Sequence, residues 1–238
     1  MCGRYQRRSD KQRIAEAFHL GNLDELTLEV APSYNVAPTT RQPVIVADCE
    51  TGNRSLAVMR WGLIPFWCKD LKKLGLSTIN AKAEGMTEKP MWKGPFTKRR
   101  CLVPADGFYE WKALDAKTKQ PYMFSLRSGD MLAFAGVWEH WNAPTGEEID
   151  SFSIITTEPN ELTATVHNRM PVMLKPADYD RWLAPSDPQQ PPVDLLRPYD
   201  ADQMQAWPVH TDVGNVRNNR PDLVDEVKDE KDSQEKLL

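Results

Sequence analysis

Four runs rich in aliphatic and aromatic residues follow one another through the middle of the chain: "RRCLVPADGFYEWK", "QPYMFSLR", "MLAFAGVWEHW" and "SFSIITT". Only a few polar, glycine or proline residues separate them. Parallel neighbours need a crossover of a dozen or more residues, usually a helix, whereas antiparallel strands join through short turns. The spacing therefore excludes a regular alternation of strand and helix and points to antiparallel pairing. Upstream, "QPVIVAD" and "RSLAVMRWGLIP" read as further strands joined by the turn-forming "ETGN". "SYNVAPTT" reads as an extended segment stopped by Pro38, and Ser77 to Ile79 as a short strand.

Helical patterns are fewer. "SDKQRIAEAFHL" offers Ser9 as N-cap and an apolar stripe of Ile14, Ala15 and Phe18. "EPNELTATVHNRM" reads as a helix capped by Thr157 with Pro159 in its first turn, and "KPADYDRWLAP" repeats that pattern. The expected architecture is one α+β domain over residues 1–221, with a mainly antiparallel, barrel-like β core flanked by helices. Residues 222–238 are expected to form an acidic, flexible tail.

The net charge of −4 argues at first against a nucleic-acid partner. From Asp222 onward, however, there are seven acidic side chains and three lysines, so the rest of the chain is neutral overall. Within it the cations cluster: Arg4, Arg7, Arg8, Lys11 and Arg13; Lys69, Lys72 and Lys73; Lys98, Arg99 and Arg100. Brought to one face they would line a basic groove; otherwise they are solvated surface. No apolar run approaches the ~20 residues of a membrane span, and the N-terminus lacks the apolar stretch of a secretory signal. The expected location is the cytoplasm or, in a eukaryote, the nucleus. Cys2, Cys49, Cys68 and Cys101 show neither CxxC spacing nor histidines at ligand spacing. Free thiols and no metal site are expected.

Several short stretches carry chemistry. In "MCGRY", loss of Met1 would give Cys2 a free α-amine beside its thiol, which no internal residue can present. With ordinary pKa values of about 7.7–8.0 and 8.5, both are nucleophilic near neutral pH. The amine forms an imine with an aldehyde, and the thiol can add to the imine carbon to close a thiazolidine. Taken alone, Cys2 is more simply read as an ordinary second residue. Arg4 can hold a phosphate. In "STINAKAE", Asn80 can orient a carbonyl or amine, with Lys82 on the same side of an extended chain; alone, Asn80 reads as a turn former. In "PADGFYEWK", alternation puts Phe108 and Glu110 on one face and Tyr109 and Trp111 on the other. A carboxyl among aromatics has a raised pKa suited to proton transfer, unless it is paired with a cation. In "TVHNRMP", His167 can shuttle a proton and Arg169 can hold a phosphate in the same cleft. Trp61 of "RWGLIPFWC" reads as core, while Pro65, Phe66 and Trp67 can stack on bases. "DVGNVRNN" suggests a tight loop of Gly214, Asn215 and Asn218 beside the site.

Together and in this order, these stretches, with "YNVAP", "FAGVWE" and "VHNRMPVML", resemble the SOS-response-associated peptidase (SRAP) family over residues 1 to about 219. Members of that family shield abasic sites in single-stranded DNA. The resemblance implies a compact α+β fold and a covalent crosslink formed by Cys2 at C1′ of the opened sugar. It implies that Asn80 positions amine and sugar, that Glu110 handles protons during imine formation, and that His167 assists ring opening and reversal. It implies DNA contacts from Arg4, Pro38, Trp67, Lys82, Arg169 and Asn215. Lys82 stands where many relatives carry Arg, keeping the charge but losing the planar fork; Cys68 stands where some carry a second Trp. The implied partner is single-stranded DNA with an abasic site, bound by a monomer without cofactor. Autoproteolytic exposure of Cys2 and a lyase side activity are implied as well. Two other readings stay open here. Glutamine amidotransferases with an N-terminal cysteine also begin Met-Cys-Gly but usually continue with an apolar strand, not Arg4 and Tyr5. A non-covalent single-strand binder would use the cations and tryptophans but leave Cys2 unexplained.

Overall fold

The computed structural model describes residues 2–21, 30–71, 74–143, 145–184 and 190–227. Strand β1 (Tyr5–Arg7) and helix α1 (Lys11–Phe18) open the chain, followed by β2 (Ser33–Val36), β3 (Arg41–Ala47), β4 (Arg54–Trp61) and β5 (Asn80–Lys82). Helix α2 (Pro90–Lys98) leads into β6 (Arg100–Ala105), β7 (Gly107–Ala113), β8 (Lys119–Leu126), β9 (Leu132–Asn142) and β10 (Glu148–Thr157). Then come α3 (Glu161–Ala164), β11 (Met170–Pro171), α4 (Tyr179–Leu183) and β12 (Met204–Pro208).

Five strands close into a barrel in the order β4, β3, β6, β9, β10 and back to β4. The first four pairings are antiparallel. The closing contact is parallel, with Ser151 beside Arg60, and β5 also runs parallel to β10, with Asn80 beside Ile154. These partners lie far apart in sequence, so no turn fixes their direction. A second, wholly antiparallel sheet has the order β12, β8, β7, β1, β2. The α+β class with a barrel-like core is thus present, and the barrel is mixed.

One core cluster joins Tyr5, Phe108 and Phe124 of the sheet to Val44, Trp61, Val103, Phe134 and Phe152 of the barrel. Tyr5 meets Trp61 edge-on at 5.2 Å, and the Trp61 indole N–H donates to the Ile79 carbonyl at 2.9 Å. Trp61 is core, as its sequence context suggested. Removing an aromatic or aliphatic side chain of this size from water contributes about 1.5–3 kcal/mol. The alternate barrel residues Leu102, Ala133, Ala135 and Ile155 face a second cluster, covered by Ile14 and Phe18 of α1, Trp92 and Phe96 of α2 and Trp182 of α4.

Local details depart from expectation where a tertiary partner claims a side chain. The cap of α1 is Asp10, whose carboxylate accepts from the Arg13 amide at 2.9 Å; the Ser9 hydroxyl instead donates to buried Asp106 at 2.6 Å. Thr157 does not cap a helix, because β10 continues through it to pair with Met170. The helix that follows is one turn, Glu161–Ala164, capped by Asn160. The short strand near residue 80 starts at Asn80 and does not cover Ser77 to Ile79. Two cations of the basic clusters are internal braces. Buried Arg7 donates to the Ser9 and Ala31 carbonyls, and buried Arg100 to those of Phe96, Thr97, Trp182 and Ala184. Arg99 pairs with Glu139 at 2.7 Å, and Lys72 and Lys73 lie outside the described residues. Near the C-terminus, Leu223 is buried and the Val227 amide donates to the Pro208 carbonyl. Residues 228–238 lie outside the described residues.

Candidate active site

Strand β1 lies between β7 and β2, and this carries the N-terminal residues to the junction of sheet and barrel. The Tyr109 amide donates to the Arg4 carbonyl at 3.0 Å, anchoring the entry to β1 on β7. From the barrel side, Asn80 opens β5 and its Nδ2 donates to the Cys2 carbonyl at 2.8 Å. Asn80 is buried, and its Oδ1 has no hydrogen-bond partner among the described residues. An acceptor left unsatisfied inside a protein costs free energy and is open to a further donor.

Cys2 itself is fully buried. Burial, and after it the charge of Glu110, push its thiol above the usual cysteine range. Its Sγ faces the Arg4 carbonyl at 3.9 Å. Burial thus favours the protonated thiol while Met1 is still attached to Cys2.

Along β7, Phe108 faces the cluster that holds Cys2, while Tyr109 and Trp111 face Val209, Val213 and Leu223. Glu110 follows the Phe108 side of that alternation and is buried. Burial pushes its carboxyl up to about 7, against the opposing pull of the chain's terminal ammonium. His167 Nε2 lies 4.0 Å from Glu110 Oε2, beyond direct hydrogen-bonding distance. His167 Nδ1 faces the Arg169 main chain, 3.1 Å from its amide nitrogen and 3.3 Å from its carbonyl oxygen, and Nε2 faces Glu110. Partial burial lowers the His167 pKa, with the terminal ammonium adding to the effect. A carboxyl whose pKa is raised toward neutrality beside an imidazole whose pKa is lowered can give and accept protons without a large energetic penalty. The structure thus brings Cys2, Asn80, Glu110 and His167 together.

The expected DNA contacts divide. Arg4 and Pro38 line a groove of about 730 Å³ that runs past Gly3 and is bordered by Thr39, Leu76 and Val216. Leu76 and Val216 are large apolar side chains left exposed there. Arg4, however, spends its guanidinium on protein acceptors: Asn35 Oδ1 at 2.8 Å and the Val213 and Gly214 carbonyls at 3.0 and 3.4 Å. Trp67 is exposed beside exposed Phe66, and Lys82 is exposed at the end of β5. Arg169 makes a forked ion pair with Glu84, at 2.5 and 3.0 Å, and also donates to the Thr156 carbonyl. Asn215 is exposed, and its carbonyl accepts from Asn35 at 3.0 Å.

Asn35 was not among the sequence candidates. It is buried, and its amide nitrogen serves the carbonyls of Val213, Asn215 and Asn218 while its oxygen accepts from Arg4. This hub ties the 213–218 loop to the N-terminus. The visible signal was an amide before an apolar pair and proline in "YNVAP". Thr39 was missed too: it is a β-branched residue at φ +71°, a conformation that favours glycine, on the edge of the groove.

Comparison with known proteins gives consistent matches. The family described as "SOS response associated peptidase (SRAP)" matches residues 1–216. The abasic site processing protein YoqW of Bacillus subtilis is 44% identical over 228 residues, covering 94% of this chain and 99% of its own. The abasic site processing protein HMCES of Gallus gallus is 34% identical over 223 residues, covering 81% of this chain and 66% of its own. A crystal structure of a protein from Bacteroides thetaiotaomicron superposes with a TM-score of 0.81 at 28% identity, covering 95% of this chain and all of that one. With the barrel, the second sheet and the buried N-terminal cluster alongside these matches, the chain belongs to the SOS response associated peptidase (SRAP) family.

Proposed function

We propose that this chain processes abasic sites in single-stranded DNA by capturing the sugar aldehyde covalently on Cys2. The observation that carries the reading is the convergence of Cys2, Asn80, Glu110 and His167 at the junction of sheet and barrel. The names of the relatives, abasic site processing proteins, support the substrate class.

The steps follow from the chemistry of the groups. Release of Met1 frees the Cys2 α-amine. His167, in the tautomer that carries its proton on Nε2, hydrogen-bonds the ring oxygen of the abasic sugar and assists opening to the aldehyde. The amine adds to C1′, and the Asn80 amide, bonded to the Cys2 carbonyl, holds the nucleophile in place. Protonated Glu110 delivers a proton to the carbinolamine hydroxyl, which leaves as water, and the Glu110 carboxylate then takes the N–H proton of the resulting iminium to give the imine. The Cys2 thiol adds to the imine carbon, its proton passes to the ring nitrogen, and a thiazolidine results. The balance is aldehyde plus aminothiol giving thiazolidine plus water. At the imine stage the C2′ protons are acidified, so β-elimination of the 3′ phosphate competes; ring closure by the thiol suppresses it. The same proton-handling groups can act in release of Met1. Bases stack on Phe66 and Trp67 and phosphates meet the cations around the site.

Purified protein is incubated with a single-stranded oligonucleotide carrying one abasic site and run on a denaturing gel. A shifted band that survives heat and detergent is expected for the wild type. Cys2→Ala gives none. Cys2→Ser retains the amine and gives a band only after borohydride trapping. A Cys2→Ala protein that crosslinks as fast as wild type rules the mechanism out. Glutamine hydrolysis without crosslinking would point to an amidotransferase instead.

A further inference from the structure

A cavity of about 650 Å³ lies between α1, the β8–β9 turn, the segment after β11 and residues 199–203 before β12. None of Cys2, Asn80, Glu110 and His167 lines it, and the proposed chemistry makes no use of it. Its floor is apolar: Met131, Leu132, Ala133, Met173 and Leu174 line it and are buried. One wall is Tyr199, which also lines a smaller adjoining cavity of about 190 Å³. Lys175 Nζ sits over the Tyr199 ring, 5.7 Å from its centroid, and lines only the smaller cavity. The ring is therefore a partition, with a cation on one face and the other face turned to the larger cavity. Arg13, Arg127 and Asp130 stand at the rim, all exposed. Arg13 is positioned by a hydrogen bond from one terminal nitrogen to the Gly129 carbonyl at 2.9 Å. The side chains of Arg127 and Asp130 make no hydrogen bond or ion pair among the described residues.

Three groups define what such a cavity can hold. The open face of Tyr199, flanked by the Met131 and Met173 thioethers, suits a planar ring. The Arg13 and Arg127 guanidiniums suit an anion, and their planar fork matches a phosphate. The Asp130 carboxylate only accepts, so it suits an N–H donor on the ring's edge and repels a carbonyl there. A bare anion leaves the ring face and Asp130 without partners, and an uncharged ring leaves the arginines without one. We propose that this cavity binds a nucleoside monophosphate whose base carries an exocyclic amine. The base lies on Tyr199, the amine donates to Asp130, and the phosphate sits between Arg13 and Arg127. The volume falls within the roughly 300–1,000 Å³ of small-molecule pockets. The site is separate from the capture of the sugar aldehyde and does not rest on that reading.

The test is calorimetric titration of the full chain with AMP, UMP, adenosine and inorganic phosphate, for wild type, Arg127→Gln and Tyr199→Leu. Thermal melts confirm that each variant is folded, and Arg127, being exposed, keeps the test open should Tyr199→Leu unfold. AMP is expected to bind about tenfold or more tighter than adenosine, which lacks the charged group. It is also expected to bind about fivefold or more tighter than UMP, whose ring N–H lies between two carbonyl oxygens. Inorganic phosphate is expected to bind more weakly than AMP. Arg127→Gln is expected to weaken AMP by about fivefold or more and to leave adenosine unchanged. Tyr199→Leu is expected to weaken both by about fivefold or more, through the lost stacking. Absence of saturable AMP binding overturns the proposal. So does phosphate or UMP binding as tightly as AMP, since ring and amine would then contribute nothing. AMP affinity unchanged in Arg127→Gln overturns it as well, by placing the nucleotide elsewhere. No abasic DNA enters the titration, so a failed crosslinking assay leaves its result standing.

Discussion

Glu110 is a carboxyl buried between aromatic strands, and its environment sets both its chemistry and its cost. Its pKa of about 7 in the folded chain lies above the unfolded value of about 4.3. The folded state therefore holds this proton more tightly than the unfolded state does. The stability it contributes is full below about pH 4 and is lost as pH rises through about 7. Glu110→Gln keeps the shape and removes the ionisation. Its melting temperature should match wild type near pH 4 and exceed it at pH 8, while crosslinking slows by about 100-fold or more. A wild type that is the more stable protein at pH 8, or a variant of unchanged rate, would contradict the assigned role. Much of this residue was legible beforehand: period-two alternation in "GFYEWK" put Glu110 opposite Tyr109, and aromatic neighbours implied desolvation. Arg4 was less legible. Whether a guanidinium reaches a ligand or a carbonyl depends on what the fold brings to it, and here that is the Val213–Gly214 backbone from the other end of the chain.

At the scale of elements, the site depends on β7 sitting tight against its neighbours. Gly107 begins that strand, paired with Gln6 of β1. A Cβ there would come within 2.3 Å of Met123 Cε and 2.7 Å of the Phe124 carbonyl oxygen. The methionine can move, but the carbonyl belongs to the β7–β8 pairing and cannot. Gly107→Ala should therefore cost about 1–3 kcal/mol in denaturant unfolding, and should slow crosslinking by displacing Glu110 three residues along the strand. A variant with wild-type stability and rate would show that this contact does not position the site. The strands themselves could be read from apolar runs and turn residues, as with "ETGN" between β3 and β4. Helix ends could not. The Ser9 hydroxyl was diverted by Asp106 and Thr157 by Met170, and both partners are distant in sequence and invisible to local pattern. The parallel closure of the barrel by β4 and β10 was likewise beyond local reasoning, since no short link constrains it.

At the scale of the molecule, two sheets hold the first residues of the chain between them, with β1 in one sheet and Asn80 on the edge of the barrel. This arrangement explains why a segment that is usually frayed is fully buried at Cys2. It also explains why the charge clusters read poorly from sequence: Arg7 and Arg100 are spent on interior carbonyls, so counting cations along the chain overstates the basic surface. Lys82, by contrast, is exposed at the end of β5, and Arg169 is held in a fork by Glu84. The central claim is that the mature N-terminal cysteine supplies both nitrogen and sulfur to one sugar carbon. Intact mass spectrometry of the adduct with an abasic oligonucleotide tests it most directly. The mass should equal the chain without Met1 plus the oligonucleotide less one water, and fragmentation should place the link on Cys2 with its sulfur inaccessible to thiol alkylation. An adduct that retains Met1, maps to a lysine, or leaves the Cys2 thiol free to alkylate would contradict the account.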